Sequence, residues 1–490
     1  MLRSFIAALL LCVTGCVSGG SERASEVASE SSSLERAQDT SSPDDESRGR
    51  APWLESVDTV SSRYPAFGIT LHFMAHVYEE PRKTARVVGY LRRGARFRAS
   101  EEVSRNGCRK GWFEIFGGGN VCADEAFLID SHPPRYESVP NPPAIWEPMP
   151  YPYAKVVAHD VPQYYRLPSP EEEALVLGLL ATSDATTPDT QEADAGPTIA
   201  DQLRSMLRVR MQPGFYVSID GEARDEEHQR AFTRTVRGSY LRSERLVPAS
   251  APQGIGVTLG QEYRLPLALV YRSGAPVMGL DPVSGELTKT GEDWPLHSAH
   301  SLSGESLVRG GRRYYATVDG YFVRDTAVRV VAQANRPRPI ALEERWIRVD
   351  LDRQTLTAYE GDSPVFATLV SSGLPDHATP SGVYRLHAKH VSTTMADNVG
   401  DEGAYSIEDV PWTMYFLGSF ALHGAFWHNR FGHPRSHGCV NLAPRDARWL
   451  FFWTLPELPS AWHGVLADVG TGTAVSLDHG TPYSIEQGGS

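Results

Sequence analysis

The stretch Ser436-His437-Gly438-Cys439-Val440-Asn441, with His423-Gly424 upstream, combines side chains that can do chemistry together. Cysteine is the strongest nucleophile among the side chains, but only as its thiolate. With a reference pKa of about 8.5, holding it ionised at pH 7 takes roughly 2 kcal/mol. A nearby imidazole can supply that by taking the proton and staying as the counter-charge. Gly438 lets the chain turn sharply beside the nucleophile and approach a substrate closely. N–H groups in such a turn can point at a developing oxyanion. His423 precedes Cys439 by sixteen residues, which is room for a strand, a loop and a return.

Those groups need a rigid frame, and the sequence around them predicts a β scaffold. Ile347, Val349 and Leu351 alternate with Arg348, Asp350 and Asp352, a strand with one buried face. A turn at Arg353-Gln354 leads to a strand over 356–359, and Gly361-Asp362 turns into another over 365–370. Pro380-Ser381-Gly382 signals a turn before a strand over 383–386. Residues 410–417 and 420–423 supply later strands. Pro444 suits the first turn of a helix running to Trp453, and Asp446 favours its positive end. The nucleophile then sits on a loop between the last inner strand and that helix, where a rigid sheet can aim it.

With those residues in view, a family resemblance emerges. His423-Gly424 followed by Ser436-His437-Gly438-Cys439-Val440-Asn441 resembles the signature of the L,D-transpeptidases, the YkuD-type catalytic domain. The likeness extends through residues 345–351, Gln354-Thr355-Leu356, 379–384 and Val410-Pro411-Trp412, and covers about 342–470. It implies a C-terminal β-sandwich with a short helix after the nucleophile loop. It implies acyl transfer through a thioester: Cys439 attacks a peptidoglycan tetrapeptide stem, terminal D-alanine leaves, and an amine on a second stem or a protein resolves the thioester. His423 would be the general acid and base, and the N–H groups of His437, Gly438 and Cys439 would meet the oxyanion. Ser436 and Asn441 match the motif as loop and substrate-side residues. Gly424 stands where some members carry a hydroxyl, so only its carbonyl could orient His423. Tyr384 and Trp412 are candidates for the substrate cleft or for core packing. No cofactor is implied. A thioester hydrolase, or a wall-binding scaffold with an idle domain, are the alternatives.

His423, His428, His433, His437 and Cys439 also invite reading as metal ligands. Gly432, Pro434 and Gly438 break any helix that would align them, and no HExxH element or nearby carboxylate supports a hydrolytic site. The expected metal is none.

The 490 residues allow two to four domains, and a formal charge of −13 argues against nucleic-acid binding. Forty-three Gly and thirty-five Pro suit turn-rich β domains. Arg3 and a short apolar run ending in Val13-Thr14-Gly15-Cys16 read as a signal peptide over 1–16, too short to span a bilayer. Its end resembles a bacterial lipoprotein processing site, which implies lipid on Cys16 and a place on the periplasmic side of the envelope, at the outer membrane. Residues 17–62 read as a disordered tether with a reach of about 35–40 Å. In an oxidising compartment Cys108 and Cys122, flanking an expected hairpin, are the plausible pair, which leaves Cys439 as the odd thiol. Residues 63–132 resemble a bacterial SH3-like barrel. Residues 150–335 read as β-rich, with a disordered insertion over 169–205. Within them 235–242 matches 317–324, suggesting one hairpin used twice and possible SH3-like lobes. Residues 471–490 read as a tail.

Overall fold

The computed structural model describes residues 63–124, 126–135, 139–182, 205–397 and 405–480. The segment 1–16 with Cys16, the stretch 17–62 and residues 183–204 lie outside the described residues. Strands dominate, with two α-helices among the described residues, Pro170–Thr182 and Pro444–Trp453.

Two sheets face each other in the C-terminal region. The first has six strands in the order Val257–Thr258, Ser363–Leu369, Thr355–Glu360, Arg345–Asp350, Ala474–Asp478 and Gly382–Arg385. Ile347 and Val349 point into the core, as their alternation requires. The opposite face is covered too: Trp346 stacks on Tyr359 with ring centroids 4.3 Å apart, and Arg348 pairs with Asp478 at 2.7 Å. Alternation marks the two faces but does not say what lies on the polar one. The expected tail also needs correction. Ala474–Asp478 is an interior strand, parallel to Arg345–Asp350 and antiparallel to Gly382–Arg385, with Val475 and Leu477 in the core. Five residues beyond a Gly-Thr-Gly stretch carry too short a period to stand out in sequence.

The second sheet carries Ala388–Asp397, Tyr405–Leu417, Phe420–Gly424 and Val440–Leu442, with Gly464–Leu466 beside Ala388–Asp397. Trp412, Met414, Leu422, Val440 and Leu442 meet the first sheet's Ile347, Leu356 and Val475 in one core that the helix Pro444–Trp453 closes with Leu450 and Phe451.

Residues 66–130 form seven short strands, of which Ala66–Thr70 and Phe127–Asp130 pair with each other. A disulfide joins Cys108 to Cys122. The hairpin Arg230–Thr235 with Tyr240–Arg242 has a counterpart in Arg312–Thr317 with Phe322–Arg324. Each turn places a glycine at positive φ, Gly238 at 79° and Gly320 at 84°. In both copies a single 3-10 turn and a short strand follow, Leu246–Ala249 in one and Val328–Val331 in the other.

The insertion expected over 169–205 is corrected in its first part, where Pro170–Thr182 is a helix. Ser169 Oγ accepts the Glu172 N–H at 3.2 Å, and the Glu172 carboxylate accepts the Ser169 N–H at 2.8 Å. That reciprocal pair is a capping box with proline in the first turn. Its sequence, Ser169-Pro170-Glu171-Glu172, carries the signal that the acidic run obscured.

Candidate active site

Phe420–Gly424 and Val440–Leu442 run parallel, with Leu422 opposite Val440 and His423 opposite Asn441. Cys439, one residue before the strand, therefore falls opposite Ala421, whose N–H reaches its sulfur. Ala421 and His423 share a face of the sheet, so Cys439 and His423 are diagonal neighbours. A rise of 3.3 Å per residue and a strand spacing of about 4.8 Å place their Cα atoms about 8 Å apart. Both side chains line one cavity of about 560 Å³.

His423 is 2% exposed, and its Nδ1 lies 3.2 Å from the Gly424 carbonyl. A carbonyl only accepts, so Nδ1 carries the hydrogen and Nε2 keeps its lone pair. Burial pushes the His423 pKa down to about 4, the Gly424 carbonyl opposing. The Trp427 ring lies 5.8 Å away at 27°, covering the imidazole.

Cys439 is the free cysteine among the described residues. Its S–H donates to the Ser419 carbonyl at 3.7 Å. Burial pushes the thiol pKa up, the Ala421 N–H opposing. Both shifts run against the thiolate–imidazolium form and favour the uncharged thiol and the uncharged imidazole. The physical reason is that both charged forms would be desolvated in the same place.

The turn before Cys439 is tied down by its own polar atoms. Ser436 Oγ donates to the Cys439 carbonyl and accepts the Gly438 N–H at 3.0 Å. Thr379 Oγ1 donates to the Gly438 carbonyl at 2.8 Å and accepts the Gly373 N–H at 2.8 Å. Gly438 has φ +118°, and a Cβ there would meet Phe420 at 2.5 Å. The Gly438 N–H is therefore engaged by Ser436 in this state. His437 is exposed, its ring 5.3 Å from Tyr405 and 4.7 Å from His377.

Ser436, His437 and Asn441 line the cavity with His423 and Cys439. Tyr384 and Trp412 do not. Trp412 is fully buried with its indole N–H donated to the Pro148 carbonyl at 2.6 Å, and Tyr384 packs on Phe416 and donates to the Ser381 carbonyl. Both are held by packing on the inner side of the sandwich. The histidines weighed as metal ligands do not converge either. Among the described residues, the ligand atoms that cluster in threes belong to Cys108, Cys122 and Asp124, and those sulfurs are bonded to each other.

Several lining residues carry no local signal in sequence. Gly214 and Tyr216 come from the middle region, and Tyr216 reaches the site because it pairs with Ile407 in parallel register. Arg430 and Arg435 also line the cavity, which has no carboxylate among its described lining residues.

Residues 344–477 match the family model for the L,D-transpeptidase catalytic domain, YkuD. A curated relative, putative L,D-transpeptidase YciB of Bacillus subtilis (strain 168), is 24% identical over 119 residues, 22% of this chain and 59% of that protein. The chain thus spans about three fifths of the length of this relative. A solved L,D-transpeptidase of Enterococcus faecium is 22% identical over 30% of this chain and 55% of its own, with a TM-score of 0.23. An L,D-transpeptidase from Mycobacterium smegmatis is 18% identical over 47% of this chain and 94% of its own, with a TM-score of 0.23.

Proposed function

We propose that the chain is a peptidoglycan L,D-transpeptidase with Cys439 as nucleophile and His423 as general acid and base. The observation that carries this reading is the placing of both side chains on one face of a parallel strand pair, at one cavity. Cys439 sulfur bonds to the carbonyl carbon of the stem peptide as its proton passes to His423 Nε2. The imidazolium then protonates the departing amine of D-alanine as the C–N bond breaks, leaving a thioester. An incoming amine attacks that thioester, loses its proton to His423, and the sulfur recovers a proton as the new amide forms. Because burial favours the uncharged form of each group, proton transfer accompanies attack on this reading.

The turn around His437, Gly438 and Cys439 would supply N–H donors to the oxyanion, and in the resting turn the Gly438 donor is held by Ser436. Arg430 and Arg435 suit a substrate with carboxylates, in a chain whose formal charge is −13. On the same reading the protein is a lipoprotein anchored through Cys16 on the periplasmic side of the envelope, with an SH3-like domain at 63–132. Carbapenems acylate cysteines of this kind. Incubation with one is expected to add a single adduct, located by mass spectrometry on Cys439 and lost in Cys439→Ala. Folded protein with no adduct would count against the assignment. Products from disaccharide-tetrapeptide with and without an added amine then separate transfer from hydrolysis.

A further inference from the structure

His428 and Asn441 form a buried pair that the mechanism above leaves unused. His428 is 9% exposed and is not among the cavity's lining residues. Asn441 is 4% exposed, lines the cavity, and lies directly opposite His423 in the strand register. One end of the Asn441 amide sits 3.0 Å from His428 Nε2. The other end has no partner among the described residues.

The proton on His428 can be located. The Arg430 backbone N–H donates to Nδ1 at 3.3 Å, so Nδ1 presents its lone pair. Burial above all, then Arg435, His423 and Arg430, pushes the His428 pKa down to about 3, so at neutral pH the ring holds a single N–H. That hydrogen is on Nε2. Nε2–H against an amide NH2 sets donor on donor, whereas against the amide oxygen it makes a hydrogen bond. An asparagine's two ends are told apart by their partners. The oxygen therefore belongs on His428 and the nitrogen belongs at the unpartnered end.

We propose that His428 fixes the Asn441 amide so that its NH2 group, and not its carbonyl, is offered to the catalytic cavity as a donor to a carbonyl or carboxylate oxygen of the bound acyl donor. This rests on the thioester reading of the cavity. His428 is then a positioning residue, and Asn441 is the group that touches substrate.

Two measurements on the full chain test the pair. In 15N-histidine NMR at pH 7, the ring signals absent from His428→Gln are expected to show Nε2 protonated and Nδ1 bare. A proton on Nδ1, alone or with Nε2, overturns the proposal. The second measurement is the rate of Cys439 acylation by a carbapenem. Asn441→Asp still accepts from His428 but turns an oxygen to the cavity, so the rate is expected to fall about tenfold or more. The loss should be smaller at pH 5 than at pH 8, because a protonated carboxyl can donate again. Acylation at the parent rate would sink the idea. His428→Leu is expected to slow acylation and His428→Gln, whose amide can still donate to Asn441, to recover part of it. If Asn441→Asp does not fold, the tautomer in the unaltered protein decides. Absence of any adduct in that protein would instead indict the thioester reading and leave the tautomer to judge the amide.

Discussion

A thiol whose hydrogen points at the Ser419 carbonyl, in a largely protein-filled setting, resists losing its proton. His423, with burial pushing it down to about 4, resists gaining one. Together they predict chemistry unlike that of a pre-ionised cysteine. The rate of Cys439 alkylation by iodoacetamide is expected to rise with pH through the ordinary thiol range and beyond, without a plateau between pH 5 and 7. A plateau there, abolished in His423→Ala, would show a resting thiolate–imidazolium pair instead. At this scale residue type carried much of the site, because Cys439, His423, Ser436 and Asn441 are polar groups in a short glycine-bearing run. The limits are equally specific. His428 stood in sequence as one histidine among several, and its partner is thirteen residues away on the strand Val440–Leu442. Trp427 covers the His423 imidazole, yet an aromatic residue four positions on gives no sign of which ring it faces.

Elements join through single side chains that their own periodicity does not disclose. Asp446 lies in the first turn of Pro444–Trp453, where its charge suits the helix end. Its carboxylate instead reaches outward: Thr368 Oγ1 donates to it at 2.6 Å, and the N–H groups of Ile255 and Gly256 donate at 3.2 and 2.9 Å. One residue, 2% exposed, thus fastens the helix that follows the Cys439 turn to the first sheet and to the chain entering it from the middle region. Asp446→Ala leaves three donors unpaired, two of them buried, and a loss of about 3 kcal/mol is expected, read as a lower urea midpoint. Asp446→Asn keeps one acceptor oxygen and should cost clearly less. Equal losses for the two would mean that packing, not these bonds, is what the residue supplies. The strand Arg345–Asp350 was legible because its inward residues alternate. Ala474–Asp478 was not, since a short strand that pairs in parallel with a partner over a hundred residues away leaves no hairpin signal.

Across the whole molecule, the excursion from His423 to Cys439 is walled by parts of the chain that no local pattern connects to it. Tyr153 packs on Phe426 at 4.3 Å, while Arg329 donates to the Gly432 carbonyl and lies over Tyr271. Deeper in, Asp409 accepts from Arg92 at 2.6 Å and from Ser218 at 2.5 Å, while the Tyr153 hydroxyl donates to its carbonyl. One carboxylate thereby joins strands from 66–130, from the middle region and from the second sheet of the C-terminal region. Around this junction and the site lie four buried histidines held neutral: burial pushes His390 and His423 down to about 4, His428 to about 3, and His463 well below the usual range. The unfolded chain takes up protons at these positions near pH 6.5, while burial delays that uptake to lower pH in the native chain. The unfolded state binds more protons in that window, so stability falls as pH drops through it, by up to roughly 1.4 kcal/mol per pH unit for each histidine. Asp409 acts lower down. Its carboxyl is held below the ordinary range by Arg92 and Arg237 against the effect of burial, so its contribution is present above about pH 4 and is lost below. The urea midpoint is therefore expected to fall steeply between pH 7 and pH 5. His390→Gln removes one of the four and should flatten the slope by about one proton. A midpoint constant across that range would mean that these rings take up protons in the native protein at the same pH as in the unfolded chain, and that burial does not favour their uncharged forms.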